Sequence, residues 1–311
     1  MQLTHPFLQL PKLFCAETLA EEVRALPASA WVPHPGQIAG NDAVLLVTPS
    51  GEATNDFAGA MAPTEHLLAS RYIMEVMAQI GGVWGRSRLM GLAAGAEVPV
   101  HVDINYYWRT HIRIHIPIVT SPEVLFTCGG ETVHMAPGEC WIFDSFRVHR
   151  VHNGGRAKRV HLVLDTVGGE ELWNLMEAAR TLPRSEWKRH EPAGGPVPEL
   201  AYERENVPTI MSPWEIRCHI AFAAGQTPAD PRAAPIFRCL DRFAQNWAAA
   251  WARFGPADEG IPEYQRLIAR VRQEVNALGA GTLLLPNRIP LYGVLYAMIF
   301  RMAVPGIAQK S

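Results

Sequence analysis

A mainly β fold with helices, a sandwich or barrel of short strands followed by a C-terminal α-helical domain, is the fold class this sequence predicts. Three observations predict it. Residues 111–118 (HIRIHIPI) alternate strictly and 159–165 (RVHLVLD) repeat the arrangement, the period of a strand with one face buried. Between about 86 and 166, short runs of this kind are separated by turns, as in sandwiches and barrels. Beyond about 181 the apolar spacing changes to that of amphipathic helices.

In chain order, residues 10–83 read as mixed. Segments 16–26 (AETLAEEVRAL) and 72–80 (YIMEVMAQI) have helical spacing, and 41–49 (NDAVLLVTP) reads as a strand. In 111–118, Ile112, Ile114, Ile116 and Ile118 face one way, while His111, Arg113 and His115 face the other. In 159–165, Val160, Leu162 and Leu164 oppose Arg159, His161 and Asp165. Segment 140–144 (CWIFD) is a third strand, entered by a Pro137-Gly138 turn. Residues 190–198 (HEPAGGPVP) read as a linker. Ser212 with Glu215 forms a capping box that opens a helix through Ala223. Ile236, Leu240, Phe243, Trp247 and Trp251 make one helical stripe, and helices are expected over 262–278 and 291–302. Trp187, Trp214, Trp247 and Trp251 read as core of this bundle. Two domains are expected, 1–180 and 181–311.

Composition narrows the class. Hydrophobic residues are 48% and charged residues 19% of the 311, ordinary for a globular protein with a real core. Lys plus Arg total 28 against 30 for Asp plus Glu. With no basic field, nucleic acid is a poor partner. The first fifteen residues do not read as a signal peptide, and 291–303 is too short to span a bilayer. Five scattered cysteines, Cys15, Cys128, Cys140, Cys218 and Cys239, lack the paired spacing of a zinc site and read as reduced thiols. A cytoplasmic protein without a membrane partner is expected, acting on a small-molecule or peptide substrate, with a second copy of itself as a further partner.

Seven of the twelve histidines, His101, His111, His115, His134, His149, His152 and His161, crowd into the β region. His101-Val102-Asp103 sets an imidazole and a carboxylate two positions apart, on one face if the segment is a strand. A second histidine from a distant strand would complete a two-histidine, one-carboxylate triad. Ferrous iron in such a site binds a bidentate cosubstrate and dioxygen together. That histidine is His149, forty-eight positions beyond His101, or His152. Arg159, ten positions past His149 and on the polar face of its strand, needs an anion if buried. A dicarboxylate supplies one through two parallel hydrogen bonds. Arg113 and His115 offer a second wall for cosubstrate or substrate. The HxD pair alone arises by chance in about one such protein in two; the ordered set is far more specific.

These blocks, HVD at 101, RIHIPI at 113, HMAPGECWIFD at 134, His149 and RVHLVLD at 159, resemble the aspartyl/asparaginyl β-hydroxylase superfamily. The resemblance covers 88–166 and is nearest the bacterial L-proline cis-hydroxylase-like enzymes. It implies a double-stranded β-helix, a cupin-like jelly roll with helices on its outer face. It implies Fe(II) on His101, Asp103 and His149, the far carboxylate of 2-oxoglutarate on Arg159, and O2 as cosubstrate. Arg113 and His115, with His134 as a weaker candidate, fall where such enzymes bind cosubstrate or substrate. The implied activity is a 2-oxoglutarate-dependent dioxygenase hydroxylating a C–H bond of an amino acid, free or peptide-borne. Two features depart from the animal enzymes: Asp103 is present where they lack a carboxylate, and Met90 stands in place of their cosubstrate-binding serine. Residues 104–110 (INYYWRT) are peculiar to this chain. Tyr106, Tyr107 and Trp108 there suggest an aromatic or apolar substrate face, which argues against proline itself, or else residues packed under a loop.

Plainer readings stand beside these. His111 and His161 read as satisfied interior or surface histidines, His152 as part of a His-Asn-Gly-Gly turn, and His134 as turn or pocket. Asp144 reads as support for the metal site and Asp165 as a turn cap at a strand end. Other function classes are a zinc or manganese cupin hydrolase or isomerase, which has no use for Arg159 as a clamp, and a ligand-binding sensor without turnover. Desaturation is the alternative reaction on the same iron.

Overall fold

The computed structural model describes residues 3–304 and resolves them into two units, Met1–Asp103 with Thr110–Asn206, and Ile104–Arg109 with Val207–Ser311. The first is the β unit. Its strands are β1 (Phe7–Phe14), β2 (Val32–Pro33), β3 (Asn41–Pro49), β4 (Met61–Pro63), β5 (Val83–Leu92), β6 (Glu97–His101) and β7 (Ile112–Val119). They continue with β8 (Val124–Cys128), β9 (Glu131–Val133), β10 (Glu139–Phe143), β11 (His149–Asn153), β12 (Arg159–Thr166), β13 (Lys188–His190) and β14 (Ala201–Tyr202). The larger sheet runs β13-β1-β10-β7-β12-β5-β3-β2, with β14 on β5 and β4 on β3; the smaller runs β6-β11-β8-β9. From β5 to β12 the chain steps repeatedly between the two sheets, so sequence neighbours seldom pair. That winding is the double-stranded β-helix, a jelly roll.

The two faces of β7 and β12 explain the layering. Ile112, Ile114, Ile116 and Ile118, with Val160, Leu162 and Leu164, join the outer core beneath α1 (Ala16–Ala25), α3 (Arg71–Ile80) and α5 (Glu170–Thr181); the short α2 (Glu65–Leu68) and α4 (Tyr106–Thr110) intervene in the chain. Leu19, Ile73, Met77 and Leu172 are the helical partners, each at 0% exposure. Each such side chain contributes about 1.5–3 kcal/mol on burial. The opposite face looks between the sheets, where Leu92, Phe126, Cys128, Met135, Phe143 and Val151 form a smaller core. Gly138, at φ +78°, turns the chain into β10. A Cβ there would strike the carbonyl of Phe14, and the Gly138 carbonyl accepts the Phe14 amide at 2.8 Å.

The unit boundary differs from the expected 180/181 break. β13 runs parallel to β1, and β14 runs parallel to β5, which ties 181–206 to the β unit. Backbone pairing outweighs the helical look of the local sequence. Residues 191–200, which hold all but the first residue of the expected linker 190–198, connect those two strands. Conversely, 104–109 leaves the β unit and belongs to the helical one.

That helical unit contains α6 (Pro213–Gln226), α7 (Ala233–Phe254), α8 (Ile261–Ala277) and α9 (Leu291–Leu295), the last continued by a wider turn over Tyr296–Phe300. Residues 305–311 of the expected domain lie outside the described residues, as do 1–2. Ile236, Leu240, Phe243 and Trp247 are buried as their spacing predicts, and the Trp247 indole N–H donates to the Met211 carbonyl at 2.8 Å. Trp251 is half-buried; Trp214, expected in the core, is 75% exposed, and Trp187 belongs to the β unit. Ser212 caps α6, its hydroxyl accepting the Glu215 amide at 3.2 Å. Ser212→Ala should cost about 1 kcal/mol, read as a lower urea midpoint. Among the described residues no helix is long and apolar enough to cross a membrane.

Candidate metal centre and cosubstrate pocket

His101 ends β6 and His149 begins β11; the antiparallel ladder sets them directly opposite each other. Their ring centroids are 4.0 Å apart. Asp103 lies past the end of β6 rather than within it. Its amide donates to the Ser145 carbonyl at 3.0 Å, which bends the carboxylate back toward the histidines. Asp103 Oδ2 is 4.0 Å from His149 Nε2, and one ligand atom from each of the three residues falls within 4.8 Å of the others.

The imidazoles are oriented for ligation. His101 Nδ1 meets the Pro99 carbonyl at 2.8 Å and His149 Nδ1 meets the Arg147 carbonyl at 2.8 Å. A carbonyl only accepts, so each Nδ1 carries the proton and each Nε2 presents a lone pair. Burial pushes the His149 pKa down to about 4, against the opposing pull of Asp103. His149 is therefore neutral near pH 7. Asp144 shapes the turn that presents Arg147: its carboxylate accepts the Phe146 amide at 3.2 Å and the Arg147 Nε at 3.1 Å. This is the supporting part expected of it. The parity of β11 also separates the two rival histidines. His149 and Val151 are buried, while Arg150 is exposed and His152 half-buried, in the strand rather than in a turn.

Arg113, expected to meet cosubstrate or substrate, is held between two carboxylates. Its Nε donates to Asp165 Oδ1 at 2.9 Å and its Nη2 to Asp165 Oδ2 at 3.4 Å, while Nη1 reaches Asp103 Oδ2 at 3.4 Å. Asp165 is directly opposite Arg113 in the β12–β7 ladder and 1% exposed. It is a buried counter-charge and not the expected turn cap. The pair aims Arg113 at the Asp103 carboxylate.

Further inside lie Arg159, His115 and His161, all buried. Arg159 Nε and Nη2 and both ring nitrogens of each histidine have no hydrogen-bond partner among the described residues. The two imidazole centroids are 5.8 Å apart. Phe143, 5.3 Å from His115 and 5.0 Å from His149, and Phe126, 5.5 Å from His115, form an apolar wall reaching toward the metal cluster. Burial lowers the Arg159 pKa to about 9, which leaves it charged at pH 7. Burial, with the Arg159 charge adding, drives His115 and His161 well below the usual histidine value, so both are neutral. Each buried polar group left without a partner costs about 1–3 kcal/mol, and such a cluster is what a polar ligand would satisfy.

The remaining sequence candidates have structural partners. His134 Nδ1 bonds to the Val124 carbonyl at 3.2 Å. His111 Nε2 hydrogen-bonds to the buried Glu203 carboxylate, as a satisfied interior histidine should. Tyr106, Tyr107 and Trp108 belong to the helical unit. The Tyr106 hydroxyl donates to Glu215 at 2.6 Å, its ring is 5.6 Å from His219, and Tyr107 packs edge-on to Trp108 at 4.8 Å. Tyr106 and Tyr107 are buried, as the alternative of residues packed under a loop expects. His161, expected to be a satisfied interior or surface histidine, is buried, but neither of its ring nitrogens has a hydrogen-bond partner among the described residues. Its alternation with Arg159 was the available signal.

Three imidazoles held neutral by burial make stability pH-dependent. The unfolded chain binds protons below its ordinary histidine pKa of about 6.5, and the folded chain does not until far lower. Stability is therefore full above about 6.5 and falls as the pH drops toward 4. His149 alone should cost about 2 kcal/mol at pH 5, with His115 and His161 acting in the same direction. The urea midpoint of metal-free protein should be clearly lower at pH 5 than at pH 7. Equal midpoints would contradict the burial of these groups.

No curated protein is matched by the chain. Similar solved structures include a 2OG-Fe(II) oxygenase family oxidoreductase from Burkholderia pseudomallei, at 12% identity and TM-score 0.37, covering 50% of this chain and 80% of that one. Another is a Pseudomonas putida prolyl-4-hydroxylase, at 16% identity and TM-score 0.36, covering 52% and 93%. The aspartyl/asparaginyl beta-hydroxylase family profile matches residues 44–168. That span, which is similar to the family, holds His101, Asp103, His149 and Arg159.

Proposed function

We propose that the chain is an Fe(II)- and 2-oxoglutarate-dependent hydroxylase acting on a C–H bond of an amino acid, free or within a peptide. One observation carries the reading: His101, Asp103 and His149 converge within 4.8 Å, in the same β unit as a buried Arg159 with two nitrogens lacking partners among the described residues. Two imidazoles and one carboxylate suit ferrous iron and leave positions for other ligands. When bound, iron with 2-oxoglutarate and dioxygen supplies the oxidising chemistry. The protein supplies the rest. His101 and His149 offer Nε2 because Pro99 and Arg147 occupy Nδ1. Arg113 steadies Asp103. Arg159 holds the diacid's far carboxylate by paired hydrogen bonds. Phe126 and Phe143 keep water from the wall between these two ends. The amino-acid substrate rests on the similarity of 44–168 to the aspartyl/asparaginyl β-hydroxylase family. A zinc or manganese hydrolase would leave Arg159 without a task.

The test is succinate release under air, with Fe(II) and 2-oxoglutarate, across free amino acids and short peptides. At least one should give succinate together with a product heavier by one oxygen. His149→Ala and Arg159→Ala should abolish both. Activity surviving either substitution defeats the site assignment, and a product lighter by two hydrogens would mark a desaturase.

A further inference from the structure

Arg159 and His161 are two apart on β12 and share its inward face, which also carries Asp165. The ladder neighbours of His161 are Met90 on β5 and Pro117 on β7. Neither side chain offers a hydrogen-bond donor, and neither accepts well. At 2% exposure, the ring is beyond the reach of bulk water. Its two nitrogens, like two on Arg159 and two on His115, have no partner among the described residues. A buried imidazole kept for packing alone would be better replaced by leucine, which has no polar atom to desolvate.

We propose that His161 is a second anchor for the far carboxylate of the cosubstrate, donating an N–H to the carboxylate that Arg159 grips. The proposal rests on the reading of the site as a 2-oxoglutarate pocket. A carboxylate has about four lone-pair sites. The guanidinium edge takes two, and an N–H from the same strand face takes another. Because His161 and His115 are neutral, the inner pocket carries one positive charge, from Arg159, matched to one carboxylate. The ligand class is a dicarboxylic 2-oxo acid.

The experiment is calorimetric titration of 2-oxoglutarate into the Mn(II)-loaded full chain, with urea unfolding of each ligand-free variant alongside. His161→Leu should weaken binding by about tenfold or more while the ligand-free midpoint stays equal or rises. His161→Asn or His161→Gln, which retain an N–H donor, should recover most of the affinity in at least one case. Arg159→Met should lose measurable binding. If Arg159→Met loses binding but His161→Leu binds like the parent, the His161 proposal fails and the pocket reading stands. If His161→Leu lowers both affinity and the ligand-free midpoint, its role is structural and the proposal fails. If the parent does not bind 2-oxoglutarate, or Arg159→Met binds as the parent does, the pocket reading itself fails, and His161 with it.

Discussion

Arg159→Met is expected to lower the affinity for 2-oxoglutarate by at least about a hundredfold, since truncating one side of a buried charge pair costs about 3–5 kcal/mol. The same change should make the ligand-free protein no less stable. Arg159 is 4% exposed and carries two nitrogens without partners among the described residues, and burial holds its pKa down to about 9. All three mark a group whose stabilising partner comes from outside the chain. Methionine fills comparable space without desolvated polar atoms. An arginine serving only the fold predicts the reverse: unchanged binding and a lower urea midpoint.

The second large effect belongs to Arg113→Met. It strips Asp165, 1% exposed, of the guanidinium that faces it across the ladder. Removing one member of a buried ion pair costs about 3–5 kcal/mol. It also releases Asp103, which Arg113 approaches at 3.4 Å. Loss of such an outer contact usually costs about 10–100-fold in metal affinity. The two consequences are separable. Arg113→Met combined with Asp165→Leu should recover much of the stability, because an apolar pair of similar volume replaces an ionic one. It should not recover the metal affinity. Urea midpoints and Fe(II) titrations of the single and double variants check both, and joint recovery would contradict the link from Asp165 through Arg113 to Asp103.

Which features could be read from sequence depended on whether their cause was local. The alternation in 111–118 and 159–165 reports the pleat directly, so the inward faces carrying His115 and Arg159 were legible. Asn41–Pro49 appears as a strand with the expected bounds. HVD at 101 and the histidine at 149 were legible as an ordered set, and the parity of β11 then separates His149 from His152. Causes distant in sequence were not legible. Asp165 resembled a strand-end cap because its partner, Arg113, is fifty-two positions away. Tyr106, Tyr107 and Trp108 suggested a substrate face because nothing in INYYWRT announces that Tyr106 bonds to Glu215, 109 positions on. The domain break was misplaced because β13 and β14 are only three and two residues long, and their pairing with β1 and β5 leaves no periodic signal. His161 was legible in position but not in role, since lack of a partner is visible only once both sheets surround it.

The most direct test is the visible spectrum of the protein mixed without oxygen with Fe(II) and 2-oxoglutarate. The account predicts a charge-transfer band that requires both additions, is lost in His149→Ala, and is lost or greatly weakened in Arg159→Met. The absence of any band in the parent, or an undiminished band in His149→Ala, would contradict it.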